Sequence, residues 1–223
     1  MGRVLVACEY SGTVRRAFAA LGHDAWSCDL LPSEDRSNKH IVGDVRDILD
    51  DGWDLMAVMH PPCTVLCYSG VKHLYIGGRR ENGRYEPRWQ ALDEAAAFYR
   101  ALRNAPIPRK AIENPIMHRY AVHLTGRGSV QYIQPWQFGH PVFKKTGLEL
   151  IGLPQLKSTN RLTPPRYGTE EYKRWSSIFR AAPGPDRWKD RSRTFDGIAA
   201  AMADQWGREL PKPDQLDLFK GAA

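Results

Sequence analysis

Short apolar runs that end on polar or cysteine residues alternate with helical periodicities through about the first 125 residues, and this alternation most constrains the fold. Val4–Cys8 runs into Glu9-Tyr10-Ser11-Gly12. Val14, Phe18 and Leu21 follow at helical spacing, with Gly22 as a stop. His23–Asp29 is a second apolar run. Ile41-Val42 before Gly43-Asp44 is a third. Asp54–Met59 is a fourth and ends at His60-Pro61-Pro62-Cys63. Arg88–Asn104 carries Trp89, Leu92, Ala96, Tyr99 and Leu102 on one helical face. Arg109–Ile112 then reads as a strand ending at Glu113-Asn114-Pro115. Met117–Leu124 predicts a helix, Ser129–Ile133 and Thr146–Ile151 predict strands, and Ile198–Leu210 predicts a last helix. Such alternation implies a mostly parallel α/β sheet, doubly wound, with helices on both faces. Ligands bind such sheets beyond the carboxyl ends of the strands, so the residues just past each strand carry the information.

Composition narrows the class further. At 223 residues the chain suits one larger domain, or one domain with a short appendage. No run of about 18 apolar residues occurs, so no membrane span is expected. Met1–Leu5 leads into no long apolar stretch with a cleavage site, so no secretory signal is expected and a cytoplasmic location is. The net charge of +7 favours a polyanionic partner, most simply nucleic acid. Cys8, Cys28, Cys63 and Cys67 are too few and too irregular for a disulfide framework and fit a reducing compartment. No second Cys or His pair follows Cys63 and Cys67 at zinc-ligand spacing, so no metal is expected. Cys8, Cys28 and Cys67 read as small buried hydrophobes.

Thr64–Pro87 is rich in Gly, Arg and Tyr and reads as a long loop. From Leu153 to Arg193 the chain is dense in Pro, basic and aromatic residues. That mixture suits phosphate and base contacts, and equally a solvated connector with aromatics tucked onto the core. The expected organisation is a catalytic unit over 1–152, a basic and aromatic insert over 153–193, a returning helix over 194–210 and a tail over 211–223.

Cys63 stands in a tight turn after a central strand, beside Pro-Pro, which places it in the ligand crevice rather than the core. A thiolate is the reactive form of cysteine and needs a positive neighbour or a helix N-terminus. Glu113 occupies the equivalent place after the next strand, so the two should face each other across the sheet edge. A thiolate with a nearby carboxylic acid suits attack on an electron-poor ring, the carboxyl engaging the ring nitrogen.

The order of these motifs resembles that of the DNA cytosine-C5 methyltransferases. Pro62-Cys63-Thr64 is similar to the family's Pro-Cys-Gln nucleophile motif, and Glu113-Asn114-Pro115 to its Glu-Asn-Val. Phe138-Gly139-His140-Pro141 with Lys144 and Lys145 resembles its later Tyr-Gly-Val-Pro motif with arginines. Asp29 resembles its ribose-binding acid, Gly43-Asp44-Val45 its adenine-contacting turn, and Asp196–Leu210 its last motif. The resemblance covers roughly residues 3–150 and 193–210. It implies a class I S-adenosylmethionine-dependent methyltransferase fold, Rossmann-like, with one antiparallel strand near 146–151. It implies S-adenosylmethionine as cofactor, held by Glu9, Ser11, Gly12, Asp29, Asp44 and Pro61. It further implies methyl transfer to cytosine C5 in DNA, with Cys63 attacking C6, Glu113 engaging N3 and Lys144 in place of the family's arginine. Thr64, Asn114 and Lys145 would contact the substrate, and the target base would be flipped out of the helix. The sequence departs from the pattern in its first loop, which has one glycine, at Thr64 in place of Gln, and in a recognition region of at most about 45 residues.

Other readings use the same residues. One is C5 modification of a free cytidine nucleotide, which the short recognition region permits. Another takes His60-Pro61-Pro62-Cys63 as the Asp/Asn-Pro-Pro-aromatic motif of enzymes that methylate adenine N6 or cytosine N4, although His60 and Cys63 supply neither end of it well. A third is a non-catalytic DNA-binding module. The tail residues Gln215-Leu216-Asp217-Leu218-Phe219 resemble the pentapeptide that docks bacterial proteins on the sliding clamp. There Gln215 would make polar contacts and Leu216, Leu218 and Phe219 would meet an apolar pocket.

Overall fold

The computed structural model describes residues 1–114, 116–177 and 193–210. Pro115, part of the 153–193 insert and the clamp-like Gln215–Phe219 lie outside the described residues.

Seven strands form one sheet: β1 (Arg3–Ala7), β2 (Asp24–Asp29), β3 (His40–Val42), β4 (Leu55–Val58), β5 (Arg109–Asn114), β6 (Val130–Ile133) and β7 (Thr146–Ile151). Their order is β3-β2-β1-β4-β5-β7-β6. The first five in that order are parallel, and β7 runs antiparallel to both β5 and β6. The protein thus has the mostly parallel, doubly wound, Rossmann-like sheet expected, with its single reversed strand at residues 146–151.

Both faces of the central strands are covered, which is why they read as unbroken apolar runs. Val4, Val6, Leu55, Ala57 and Ala111 face one layer, built from α1 (Thr13–Ala20) and the last helix, α5 (Asp196–Gly207). Leu5, Ala7, Met56, Val58 and Ile112 face the other, built mainly from α2 (Glu86–Asn104) and α3 (Arg119–Thr125). Strand partners are offset so that the carboxyl ends of β1, β2, β4 and β5 open along one edge.

The expected Thr64–Pro87 loop is folded into three 3-10 segments, Tyr68–Leu74, Ile76–Gly78 and Arg80–Asn82. Spacing alone did not show them, because such short turns carry no long periodicity. The basic and aromatic insert contains a short helix, α4 (Glu170–Trp175), whose Trp175 is buried against Phe143. α5 begins where a side chain is sterically excluded. A Cβ on Gly197 would lie 2.1 Å from the Phe138 carbonyl oxygen. Its amide instead donates to His140 Nε2 at 3.0 Å, tying α5 to the Phe138–His140 turn.

Candidate active site

Two cavities open at the carboxyl edge, on opposite faces of the sheet. The larger, about 730 Å³, is lined by Cys8 just past β1 and Cys28 of β2, by Asp29 and Leu30, by Gly43, Asp44, Val45 and Arg46 after β3, by Pro62, Thr64 and Val65 after β4, and by Phe98 of α2. The smaller, about 20 Å³, lies among Glu113, Lys144, Met59, Thr194, Phe195 and Met202. A space of that size holds one water. His60 lines both.

The larger cavity is a mixed apolar and acidic cleft of the size that takes a nucleoside-like ligand. Asp29 anchors one end. Its Oδ1 accepts from the Leu31 amide at 3.0 Å. Burial raises its carboxyl above the ordinary carboxylate range, against the opposing effect of that amide and His40. Asp44 is differently placed. Its carboxylate takes the Arg46 Nε at 3.0 Å on each oxygen, and this partner holds it below the usual range. Asp44 and Arg46 thus line the cavity as a pair, beside Gly43 and Val45.

The first βα turn does not line the cavity as expected from sequence. Cys8 leaves β1 with a φ of 55°, a left-handed conformation costly for a residue with a Cβ. The chain then carries Glu9 beneath α1. The fully buried Glu9 carboxylate accepts from Val14 N at 2.7 Å and Arg15 N at 3.2 Å, orphan donors of the first turn of α1. Burial raises the Glu9 carboxyl, and those two amides oppose the rise. Ser11 Oγ donates to Glu9 at 3.4 Å, and Gly12 takes the left-handed N-cap position at φ 69°. Glu9, Ser11 and Gly12 are thus the cap of α1, and none of them lines either cavity.

The Pro-Pro-Cys turn is set by the carbonyl of Cys63, which accepts from Leu66 N at 3.0 Å and Cys67 N at 2.9 Å. Pro61 is buried beneath it, and its neighbour Pro62 faces the large cavity. Cys63 is half-buried at the turn's apex, with Pro62 and Thr64 on either side of it in the cavity wall. Cys63 itself lines neither cavity.

Glu113 and Lys144 are brought together, from β5 and from the chain entering β7. Burial pushes the Glu113 carboxyl up to about 7, against the opposing pull of the Lys144 ammonium. The same burial, followed by repulsion from Lys144, drives the His60 imidazole down to about 3 and keeps it neutral. Lys144 Nζ donates to the Arg193 carbonyl at 3.1 Å, and Arg193 pairs with Glu34 at 2.9 Å. This path links the small cavity to the loop after β2.

Asn114 points to the face opposite Glu113, as strand alternation requires. It is buried, and its amide N and O have no hydrogen-bond partner among the described residues. It lines neither cavity. Lys145 is exposed, 4.5 Å above the Tyr132 ring.

Sequence reasoning missed several lining residues. His60 stood among the strand-end residues marked by the sequence but had no role assigned to it. Cys8 and Cys28, read as core thiols, line the cavity because they lie at the carboxyl ends of adjacent strands, one just past β1 and one within β2. Phe98 of α2 and Thr194, just before α5, had no local signal, since only packing brings them to this edge. Among the described residues no group of His, Cys, Asp and Glu could hold a metal ion, and no helix is long and apolar enough to cross a membrane.

No family model matches the chain. No curated protein matches it either. Among solved structures, it is similar to a putative DNA modification methyltransferase encoded within an E. coli prophage, at 16% identity and a TM-score of 0.43 over 67% of this chain and 46% of that one. It is also similar to the Entamoeba histolytica methyltransferase EhMeth, at 14% identity and a TM-score of 0.47 over 73% of this chain and 58% of that one. The chain thus spans about half the length of each neighbour.

Proposed function

We propose that this protein is a DNA cytosine-C5 methyltransferase that uses S-adenosylmethionine. The observation that carries the reading is Glu113. It is a half-buried carboxyl that desolvation raises to about 7 at the sheet edge, beside a lysine and one strand away from a Pro-Pro-Cys turn. A carboxyl that stays partly protonated at neutral pH donates a hydrogen bond to a ring nitrogen, which an ordinary glutamate does not.

The larger cavity fits the cofactor by its donor set. Asp29 supplies an acceptor for a ribose diol, Leu30, Val45 and Phe98 supply apolar walls for a ring, and the Gly43–Val45 backbone edges it. S-adenosylmethionine, when bound, supplies an electrophilic methyl group. The chain's own residues prepare the base. Cys63, as thiolate, adds to C6, and the ring electrons move toward N3, where the Glu113 proton neutralises the developing charge. Lys144 holds the carboxyl in place and stabilises it once the proton has left. The small cavity admits one water rather than a pyrimidine, so base entry requires the wall of Thr194 and Phe195 to move.

The free-nucleotide and amino-methyltransferase readings use the same fold. The amino-methyltransferase reading leaves the Glu113–Lys144 pair without a role. Nucleoside mass spectrometry of DNA from cells expressing the wild type or Cys63→Ala tests the proposal. A C5-modified cytosine made by the wild type alone supports it, and modified cytosine made by Cys63→Ala overturns the nucleophile assignment. Docking of Gln215–Phe219 on a sliding clamp rests on the sequence resemblance. Deleting those residues should abolish clamp affinity and leave turnover on short oligonucleotides intact, and unchanged clamp affinity refutes it.

A further inference from the structure

The loop after Cys63 and the segment after Asn114 zip together. Cys67 bridges to Met117, Tyr68 N donates to the Ile116 carbonyl at 2.7 Å, and His118 N donates to the Leu66 carbonyl at 3.1 Å. This brings side chains about 40 residues apart onto one surface. Tyr120 Oη lies 2.8 Å from Arg80 Nη2, 3.0 Å from Arg119 Nη2 and 2.9 Å from Tyr75 Oη. Arg119 stacks on the Tyr120 ring, Arg80 on Tyr75 and Arg84 on Trp89. Trp89 packs edge-on against both tyrosines and is pinned by its indole N–H, which donates to the Leu74 carbonyl at 2.8 Å.

Two exposed guanidiniums therefore share one phenol oxygen on a rigid aromatic base. Among the described residues neither Arg80 nor Arg119 forms an ion pair with a carboxylate, whereas Arg84 does, with Glu86. Holding like charges together without an anion costs free energy, and an incoming anion recovers it. The hydrogen bond from Arg119, then that from Tyr75, draws the Tyr120 hydroxyl down to about 8. Each guanidinium retains several N–H donors in the fork geometry that fits phosphate oxygens.

We propose that Arg80, Arg119 and Tyr120 form a phosphate clamp that grips the backbone of a polynucleotide strand. The inference rests on the cytosine reading and deepens it, because it names the substrate as polymer. None of these residues lines either cavity. A polynucleotide lays successive phosphates across the two guanidiniums, whereas a free nucleotide offers one.

The test is equilibrium binding of the full chain, without cofactor, to a fluorescent cytosine-containing oligonucleotide across a salt series. The R80Q/R119Q variant should bind about tenfold more weakly at moderate salt, with a salt slope shallower by about one to two, since about two phosphate contacts are lost. R80K/R119K should recover most of the slope. Deoxycytidylate should compete equally poorly with the oligonucleotide in all three proteins. R119Q alone should give about half the slope change and guards against misfolding of the double variant. Wild-type affinity and slope in R80Q/R119Q overturn the clamp, as does oligonucleotide binding that millimolar deoxycytidylate abolishes. If no modified cytosine is ever found yet R80Q/R119Q loses binding, the clamp stands and the cytosine reading fails.

Discussion

Glu113→Gln isolates the carboxyl on which the proposed chemistry depends, and its effect on folding is predictable without any turnover. The carboxyl's affinity for a proton rises from an ordinary value of 4.5 to about 7 in the native state. The unfolded chain releases that proton near 4.5 and the folded chain only near 7. The native state therefore binds more protons between those values, and this group makes stability fall as pH rises through that window. Below pH 4.5 it contributes nothing, and above pH 7 its penalty is complete. The penalty amounts to about 3 kcal/mol, at 1.36 kcal/mol for each tenfold change in proton affinity. Glutamine keeps the shape and cannot ionise. Urea unfolding of the wild type and Glu113→Gln at pH 4 and pH 8.5 reads the effect, because every other titrating group is common to both chains. The stability difference should move in the variant's favour by about 3 kcal/mol between the two pH values. A difference that does not change with pH refutes the desolvated, proton-retaining Glu113. The same variant should lose about two to four orders of magnitude in turnover, and wild-type turnover should decline as pH rises through about 7.

Two further outcomes follow from the site. Glu9→Ala removes the acceptor for the Val14 and Arg15 amides and should destabilise the fold by about 2–3 kcal/mol in urea unfolding, as two buried donors lose their partner. Wild-type stability in that variant refutes the capping role. Asp29→Asn keeps the acceptor for the Leu31 amide and should leave the melting temperature in place, while weakening S-adenosylmethionine binding about tenfold by calorimetry. Unchanged affinity removes Asp29 from the cofactor site.

The sequence by itself determined the sheet and the edge on which its chemistry lies. Unbroken apolar runs such as Val4–Ala7 and Leu55–Val58 are legible because strands buried on both faces need no polar alternation. Asp29, His60 and Glu113 are legible because a polar residue at or just past the carboxyl end of a buried strand meets the crevice. The orientation of those side chains was not legible. Glu9 sits at a strand end like the others, yet a backbone reversal at Cys8 turns it into the cap of α1. Glu113 and Asn114 are neighbours in sequence and face opposite sides of the sheet, because successive strand residues alternate. Only the tertiary structure set Lys144 beside Glu113 and Arg80 beside Arg119. Those pairs come from distant segments whose meeting depends on strand order and on the zippering of two loops, and neither leaves a local pattern in the chain.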